Sequence, residues 1–480
     1  MGEGRLYLLY PDIIVVGGGL AGVCAAIAAA EKGARVLILD RAFGGGASAI
    51  SGGVVYIGGG TKYQQEAGYE DTPENFLAYV RQEVGDAVDE DTLKRFCEKS
   101  VECLEWMEKH GARFESSLCP HKTSYPTDAY YLYYSGNEKA YPFAQIAKPA
   151  PRGHRQIGRG FSGNVLWKAI FDSAIRLGIE FQPASKVDKI LLDEKGAAQG
   201  VQYLQLVSTS SAAAKYKRLL TRGQKFQMGM VPVARWFYRR ANAVFEKGAV
   251  VQTVHAKAVI LAAGGYSMNE SLTKEHMPEF SKLSPLGTIG DDGTGIELGT
   301  EAGGCTSHMD RWSAWRMLYP PVAFLEGIMV SQQGERIAAE DLYGATFSEI
   351  LIRRFGGTGY MILDATQWKK IKSQVKEQAG VMKPLTDYIL YWAHKKATSL
   401  NALAKKTGIP SNDLARTIAA YNDAIASGQE DPVKKSNDYR SPIVQAPFYS
   451  VDFSVKVTGV RLVPAFTLGG LRVDGNTVRK

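Results

Sequence analysis

The sequence predicts an α/β protein, and three observations predict it. Short runs of apolar, largely β-branched residues lack the polar alternation of a half-exposed strand, as strands of a parallel sheet covered on both faces do. An alanine-rich helical segment joins the first two runs. Glycine clusters where strand gives way to helix. In chain order, "DIIVV" (12–16) is the first strand, "LAGVCAAIAAAEKG" (20–33) a helix that Gly33 is placed to end, and "ARVLILD" (34–40) the second strand. "AKAVILAAGGYSMN" (256–269) is a further strand that ends in a small-residue turn. "NDLARTIAAYNDAIASGQ" (412–429) is helical, with an Asn-Asp start and apolar residues at Leu414, Ile418 and Tyr421.

Gly17, Gly19 and Gly22 form GxGxxG between the first strand and its helix, and Asp40 follows Gly22 by 18 residues. Each glycine has its own physical role. Gly17 permits the tight turn, Gly19 lets a pyrophosphate approach the backbone, and Gly22 lets helix and strand pack closely. The helix N-terminus turns oriented N–H donors toward the anion, and Asp40 can accept bonds from ribose hydroxyls. This is a Rossmann-like dinucleotide site. The uncharged stretch 13–30 is long enough to be read as a membrane span, but four glycines cluster in it and charged residues follow directly.

At 480 residues the chain is long for one core, and a prior of roughly 100–200 residues per domain gives two or three domains. A composition of 45% hydrophobic and 22% charged residues excludes the disordered and fibrous classes. Its five cysteines are odd in number and show no CxxC spacing, so reduced thiols and no metal site are expected. The N-terminus has neither the basic start nor the cleavage site of a signal peptide, which points to a cytoplasmic protein. Residues 204–248 carry nine bases against one acid, Glu246, which equals the whole net charge of +8. The basicity therefore belongs to one segment, not to a general nucleic-acid surface.

The segment "RAFGGGASAISGGVVYIGGGTKYQ" (41–64) places a run of small residues straight after the ribose-binding acid, where backbone N–H groups can lie against phosphate and an aromatic ring system. It resembles the FAD-wrapping segment of the fumarate reductase and succinate dehydrogenase flavoprotein superfamily. "LYYSGNE" (132–138), "PAPRGHR" (149–155), "GDDGTGIELGTEAGG" (290–304), "GIMVSQQGERIAAED" (327–341), "YNDAIASGQEDP" (421–432) and "FTLGGLRVD" (466–474) follow in family order. Together they resemble the FAD-dependent 3-ketosteroid dehydrogenases, most of all the Δ4-(5α) type. The resemblance implies an FAD-binding domain with an inserted α+β capping and catalytic domain. It implies FAD contacts from Gly17, Gly19, Gly22, Asp40, Arg41, Gly45, Gly46, Ala47, Ser48, Ser51, Gly52, Gly53, Val187, Ala263, Gly264 and Gly265. Enzymes with covalent flavin carry a histidine in the small-residue loop, and none lies between Arg41 and Gln64, so non-covalent FAD is expected.

A ketosteroid dehydrogenase removes a proton beside a carbonyl while a hydride leaves the adjacent carbon for flavin N5. A neutral donor at the ketone oxygen and a base for the proton serve that chemistry. Tyr319 in "WRMLYPPVAFLEG" matches the family's active-site tyrosine. Thr467 keeps the family's second hydroxyl before the LGG segment, whereas the position of its second tyrosine falls on Ala465, for which Tyr449 or a residue of "DAYYLYYS" can substitute. His154 is read as a structural hydrogen-bonding residue, and Arg336 and Glu340 as fixing the loop over the flavin. Fumarate reductases carry an arginine proton donor four residues after a glutamate; here that offset from Glu340 is Gly344. An enoate reductase is the alternative activity. A truncated, catalytically silent flavin-fold protein is the alternative of another class, because the family's second flavin-binding stretch after the LGG segment is expected beyond Lys480.

The expected limits are 1–285 for the FAD-binding domain, 286–440 for the capping domain and 441–480 for the return. The basic segment 204–248 interrupts a β-layer between strands near Val201 and Val251 and mixes its bases with aromatic residues. Two readings stay open: an amphipathic element lying at a bilayer interface, or a solvated hairpin packed on its own domain. The partners expected are a steroid and an electron acceptor of unspecified chemistry, with no nucleic acid.

Overall fold

The computed structural model describes residues 10–227, 230–455 and 463–475. Its amino-terminal core is a four-stranded parallel sheet in the order Ala258–Leu261, Ile13–Val16, Val36–Leu39, Glu180–Gln182. Both faces are covered. Val15 and Ile38 pack toward the helix Leu20–Ala30, while Ile14, Val16, Leu37 and Leu39 pack toward Val187, Val201 and Tyr203 of a second, antiparallel layer. That explains why the strands read as unbroken apolar runs. Among the described residues, no helix is long and apolar enough to cross a membrane.

The second layer consists of Ser185–Leu192, Ala198–Gln205 and Val250–His255. The basic segment leaves this layer as two helices, Ser211–Gln227 and Val231–Gly248, between the second and third strands. Their aromatic face is turned inward. Tyr216, Tyr238 and Phe245 are buried with Ala42 and Phe43, and the Tyr216 hydroxyl donates to the Arg41 carbonyl at 3.1 Å. Of the described aromatic residues in the hairpin, Trp236 is the exposed one, so the packed reading accounts for the apolar content.

A second unit is built on a four-stranded antiparallel sheet in the order Ile328–Val330, Tyr360–Leu363, Phe448–Asp452, His394–Ala397. The helices Ala365–Gln378 and Lys383–Tyr391 cover one face through Trp368, Ile371 and Ile389. Leu400–Thr407 and Ser411–Ala426 cover the other through Leu403, Leu414 and Ile418. The strand Phe448–Asp452 falls after the expected limit at 440, yet it pairs on both edges inside this sheet. Val451 and Phe453 sit in its core, which is why the chain cannot leave the unit earlier. Two small sheets join the units: Trp312–Ala314 pairs with Pro464–Thr467, and Thr306–Ser307 with Gly470–Leu471. Residues 476–480, where the expectation about the terminus falls, lie outside the described residues.

Candidate active site

The first glycine turn is shaped by steric exclusion at two of its three positions. A Cβ on Gly22 would stand 2.0 Å from the Gly17 carbonyl oxygen, and one on Gly17 would stand 2.3 Å from that of Ala262. Gly17 also has φ +110°, a region side chains avoid. Gly19 differs. Its φ is −73°, and the nearest atom a Cβ would meet, Ser48 Oγ, is 3.8 Å away. The protein itself does not require glycine there. A group lying against the backbone would require it, and Gly19 offers no capping side chain to the helix that starts at Leu20, whose first N–H is taken by Ser48 Oγ. Both observations fit a pyrophosphate.

Asp40 ties this turn to the small-residue loop. One carboxylate oxygen accepts from Gly18 N at 2.8 Å; the other accepts from Ala42 N at 2.8 Å and Gly44 N at 2.9 Å. With four lone-pair sites, a carboxylate so engaged keeps one acceptor beyond these three bonds. The two loops also meet through the Gly19–Gly45 bridge and through Ser48 Oγ, which accepts from Leu20 N at 3.1 Å. Gly46 and the exposed Ala47 begin the short helix Gly46–Ile50. Ser51 Oγ accepts from Gly53 N, and the Gly52 carbonyl is held by the Tyr125 hydroxyl at 2.7 Å. Val187 lies in the strand behind the sheet, 3% exposed, where its side chain serves the core.

The return turn closes on the same place. Gly17 abuts Ala262, Ala263 packs on Gly295, and Gly264 adopts φ +82°. Gly265 N donates to the buried Asp291, whose carboxyl burial pushes up. Thr467 Oγ1 accepts from Tyr266 N at 3.1 Å beside Gly265, so Thr467 belongs to this turn. Arg41 pairs with Asp292 and reaches Asn242 Oδ1 at 3.3 Å.

Tyr319 sits elsewhere, in the loop that continues from Trp312–Ala314. The structure therefore places Thr467 and Tyr319 on one connected segment pair but in different surroundings. Tyr319 is 3% exposed, and its hydroxyl donates to the Leu342 carbonyl at 3.4 Å. Its own carbonyl is held by Ser124 Oγ at 3.0 Å. Burial, reinforced by Tyr343, Tyr439, Asp341 and Glu138, drives its pKa well above the ordinary tyrosine value. The group is an uncharged O–H donor in this setting, not a tyrosinate.

The sequence reading missed the company Tyr319 keeps. Tyr343, Tyr439, Asp341 and Glu138 bear on it from segments far apart in the chain, and Lys122 bears in turn on Glu138 and Asp341. Burial raises the carboxyls of Glu138 and Asp341 and lowers the ammonium of Lys122, whose Nζ donates to the Gly136 carbonyl at 3.2 Å. Asp341 Oδ2 accepts from Ser436 N at 3.1 Å, and its Oδ1 has no hydrogen-bond partner although the residue is 1% exposed. The "SGNE" and "AAED" motifs held two of these residues. Nothing in their spacing pointed them at Tyr319.

Tyr449 shares the buried core of the second unit with Tyr319, and its ring stacks on Trp368 of the covering helix at 4.3 Å, with His394 at 5.7 Å. Ala465 is fully buried among Tyr266, Phe280 and Trp312. His154 uses both ring nitrogens, toward Thr61 Oγ1 at 2.9 Å and the Arg152 carbonyl at 3.1 Å. Burial holds its pKa at about 4, so it is neutral. Glu340 accepts from Met329 N, Arg336 and Lys435, and Arg336 also holds Asp431, a closed network inside the second unit. Gly344 starts the helix Gly344–Phe355 against the Arg316 backbone, leaving no side chain at the fumarate reductases' arginine offset.

The chain matches the family model described as "FAD binding domain" over residues 12–478. It is 33% identical over 482 residues to the 3-oxo-5-alpha-steroid 4-dehydrogenase of Comamonas testosteroni, covering 96% of this chain and 88% of that protein. A probable fumarate reductase of Shewanella frigidimarina is 24% identical over 481 residues, covering 96% of this chain and 66% of its own. Among solved structures, the 3-ketosteroid Δ4-(5α)-dehydrogenase of Rhodococcus jostii, in complex with 4-androstene-3,17-dione, superposes with a TM-score of 0.81 at 26% identity, covering 99% of this chain and 88% of that one.

Proposed function

The chain belongs to the FAD binding domain family, and from that footing we propose that it introduces a carbon–carbon double bond beside the ketone of a 3-ketosteroid. The likeness to a steroid 4-dehydrogenase at 33% identity across 96% of the chain carries the reading. The buried Tyr319 hydroxyl fits it, because an enolate forming at a ketone oxygen needs a neutral donor.

The cofactor is FAD, held without a covalent bond to the small-residue loop, and when bound it supplies the hydride acceptor. Gly19 and the helix that follows would receive its pyrophosphate, Asp40 would offer its remaining acceptor to the ribose, and residues 45–53 and 263–265 would hold the flavin end. Tyr319 donates its O–H to the ketone oxygen, which acidifies the neighbouring C–H. Asp341 Oδ1, buried and without a hydrogen-bond partner, offers the acceptor through which that proton is passed on. The Arg336–Glu340–Asp431–Lys435 network holds the strand and loop that carry Asp341. In this reading the parallel sheet and its antiparallel layer form a Rossmann-like FAD domain, the segment from about residue 316 to 453 caps it, and 463–475 returns to it.

The test is direct. The purified chain is yellow, releases FAD on acid treatment, and reduces an artificial electron-accepting dye when given a 5α-reduced 3-ketosteroid. A yellow protein inert to such steroids that oxidises its reduced flavin with fumarate-like enoates overturns the steroid reading.

A further inference from the structure

The charge of the chain is not confined to the hairpin. Residues 365–408 contain nine lysines against Glu377 and Asp387, and all nine lysines are exposed. In the middle of this segment, at the end of the helix Lys383–Tyr391, Tyr391 is 62% and Trp392 74% exposed. Lys372 Nζ stands 5.8 Å over the Tyr391 ring, and Lys395 and Lys396 follow on the edge strand of the four-stranded sheet.

Lysines on an edge strand are a common defence against edge-to-edge pairing. That accounts for Lys395 and Lys396. It does not account for two large aromatic rings held out in water beside them, which the same defence would remove. Exposed tryptophan and tyrosine among lysines is the chemistry of a headgroup layer: the rings settle at the interface, and the ammonium groups meet anionic lipid.

A cavity of about 270 Å³ opens beside the rings, lined by Tyr388, Trp392, Lys395 and Phe453, with the 2% exposed Ser450, whose hydroxyl has no hydrogen-bond partner, in its wall. Ile389 and Phe453 also line a smaller gap of about 10 Å³ that touches Tyr319. The aromatic patch and the Tyr319 loop thus lie at two ends of one line of side chains.

We propose that the patch formed by Tyr391, Trp392 and the surrounding lysines docks the protein on an anionic phospholipid surface, with the adjoining cavity as the inlet for a membrane-dissolved substrate. The inlet rests on the steroid reading. The docking does not.

Holoenzyme is sedimented with phosphatidylcholine vesicles, with and without phosphatidylglycerol. Binding is expected only with the anionic lipid and is expected to fall with salt. Tyr391→Ser combined with Lys372→Glu is expected to weaken it at least about tenfold. Oxidation of detergent-dispersed steroid by this variant stays at the wild-type rate. Arg239→Glu with Arg240→Glu in the hairpin, a charge change at least as large, leaves vesicle binding near the wild type. No binding to anionic vesicles overturns the proposal. So does binding that the hairpin variant abolishes and the patch variant keeps, or equal binding to neutral vesicles. A chain that docks yet turns over no steroid keeps the docking and loses the inlet.

Discussion

The glycine turn and the Tyr319 cluster differ in how many segments build them. Six consecutive residues, 17–22, hold the turn's geometry, and two of its glycines are fixed by backbone oxygens within 2.3 Å of where a Cβ would be. Tyr319 is an ordinary tyrosine until the fold buries it and brings Tyr343, Asp341 and Glu138 to bear on it from elsewhere in the chain. The first site is specified by sterics and is legible locally. The second is specified by burial and the charges buried with it, and exists only once the fold has formed.

Four experiments sharpen that contrast or break it. Gly22→Ala forces the helix off its strand and is expected to cost about 3 kcal/mol or more, read as lost soluble protein or a collapsed melting temperature. A fully stable Gly22→Ala protein would show that the turn is looser than its contacts. Tyr319→Phe removes one hydroxyl and is expected to lower kcat about 10²–10³-fold while the bound-flavin spectrum stays unchanged. An unaltered kcat would remove Tyr319 from the chemistry.

His154 gives a pH signature. Its folded pKa, about 4, lies below the ordinary 6.5, so the unfolded chain binds the extra proton first. Its contribution is present above pH 6.5 and is lost as pH falls toward 4, up to about 3 kcal/mol. His154→Gln should flatten that limb of the stability curve measured by urea unfolding, and an unchanged limb would show that the ring is not shielded. Gly19→Ala should have the smallest effect on stability, about 1 kcal/mol or less, yet weaken FAD binding severalfold in a flavin-fluorescence titration. Equal damage at Gly19 and Gly22 would erase the distinction between a glycine kept for packing and one kept for a ligand.

What the sequence disclosed follows the same division. The strand–helix–strand start, Asp40, the return strand before Gly264 and the helix at 411–426 depend on neighbours in the chain, and periodicity reports neighbours. The hairpin's position between two strands is legible for the same reason. Its aromatic face is not, because whether Tyr216 and Phe245 face lipid or Phe43 depends on a loop far away in sequence. The strand at 448–452 joins the second unit and not the return segment, since apolar alternation marks a strand without naming the sheet it enters. Lys122 carries no signal and Asp341 none beyond its motif; a buried charge is recognisable only from its surroundings.

The hairpin has one more consequence. Gln205 and Val250, where the chain leaves and re-enters the antiparallel layer, face each other in register, so the sheet would be closed equally well by a two-residue turn. The two helices are thus an insertion between paired strand ends: excision should leave the antiparallel layer able to close, and should strip the cover from Arg41 and Phe43.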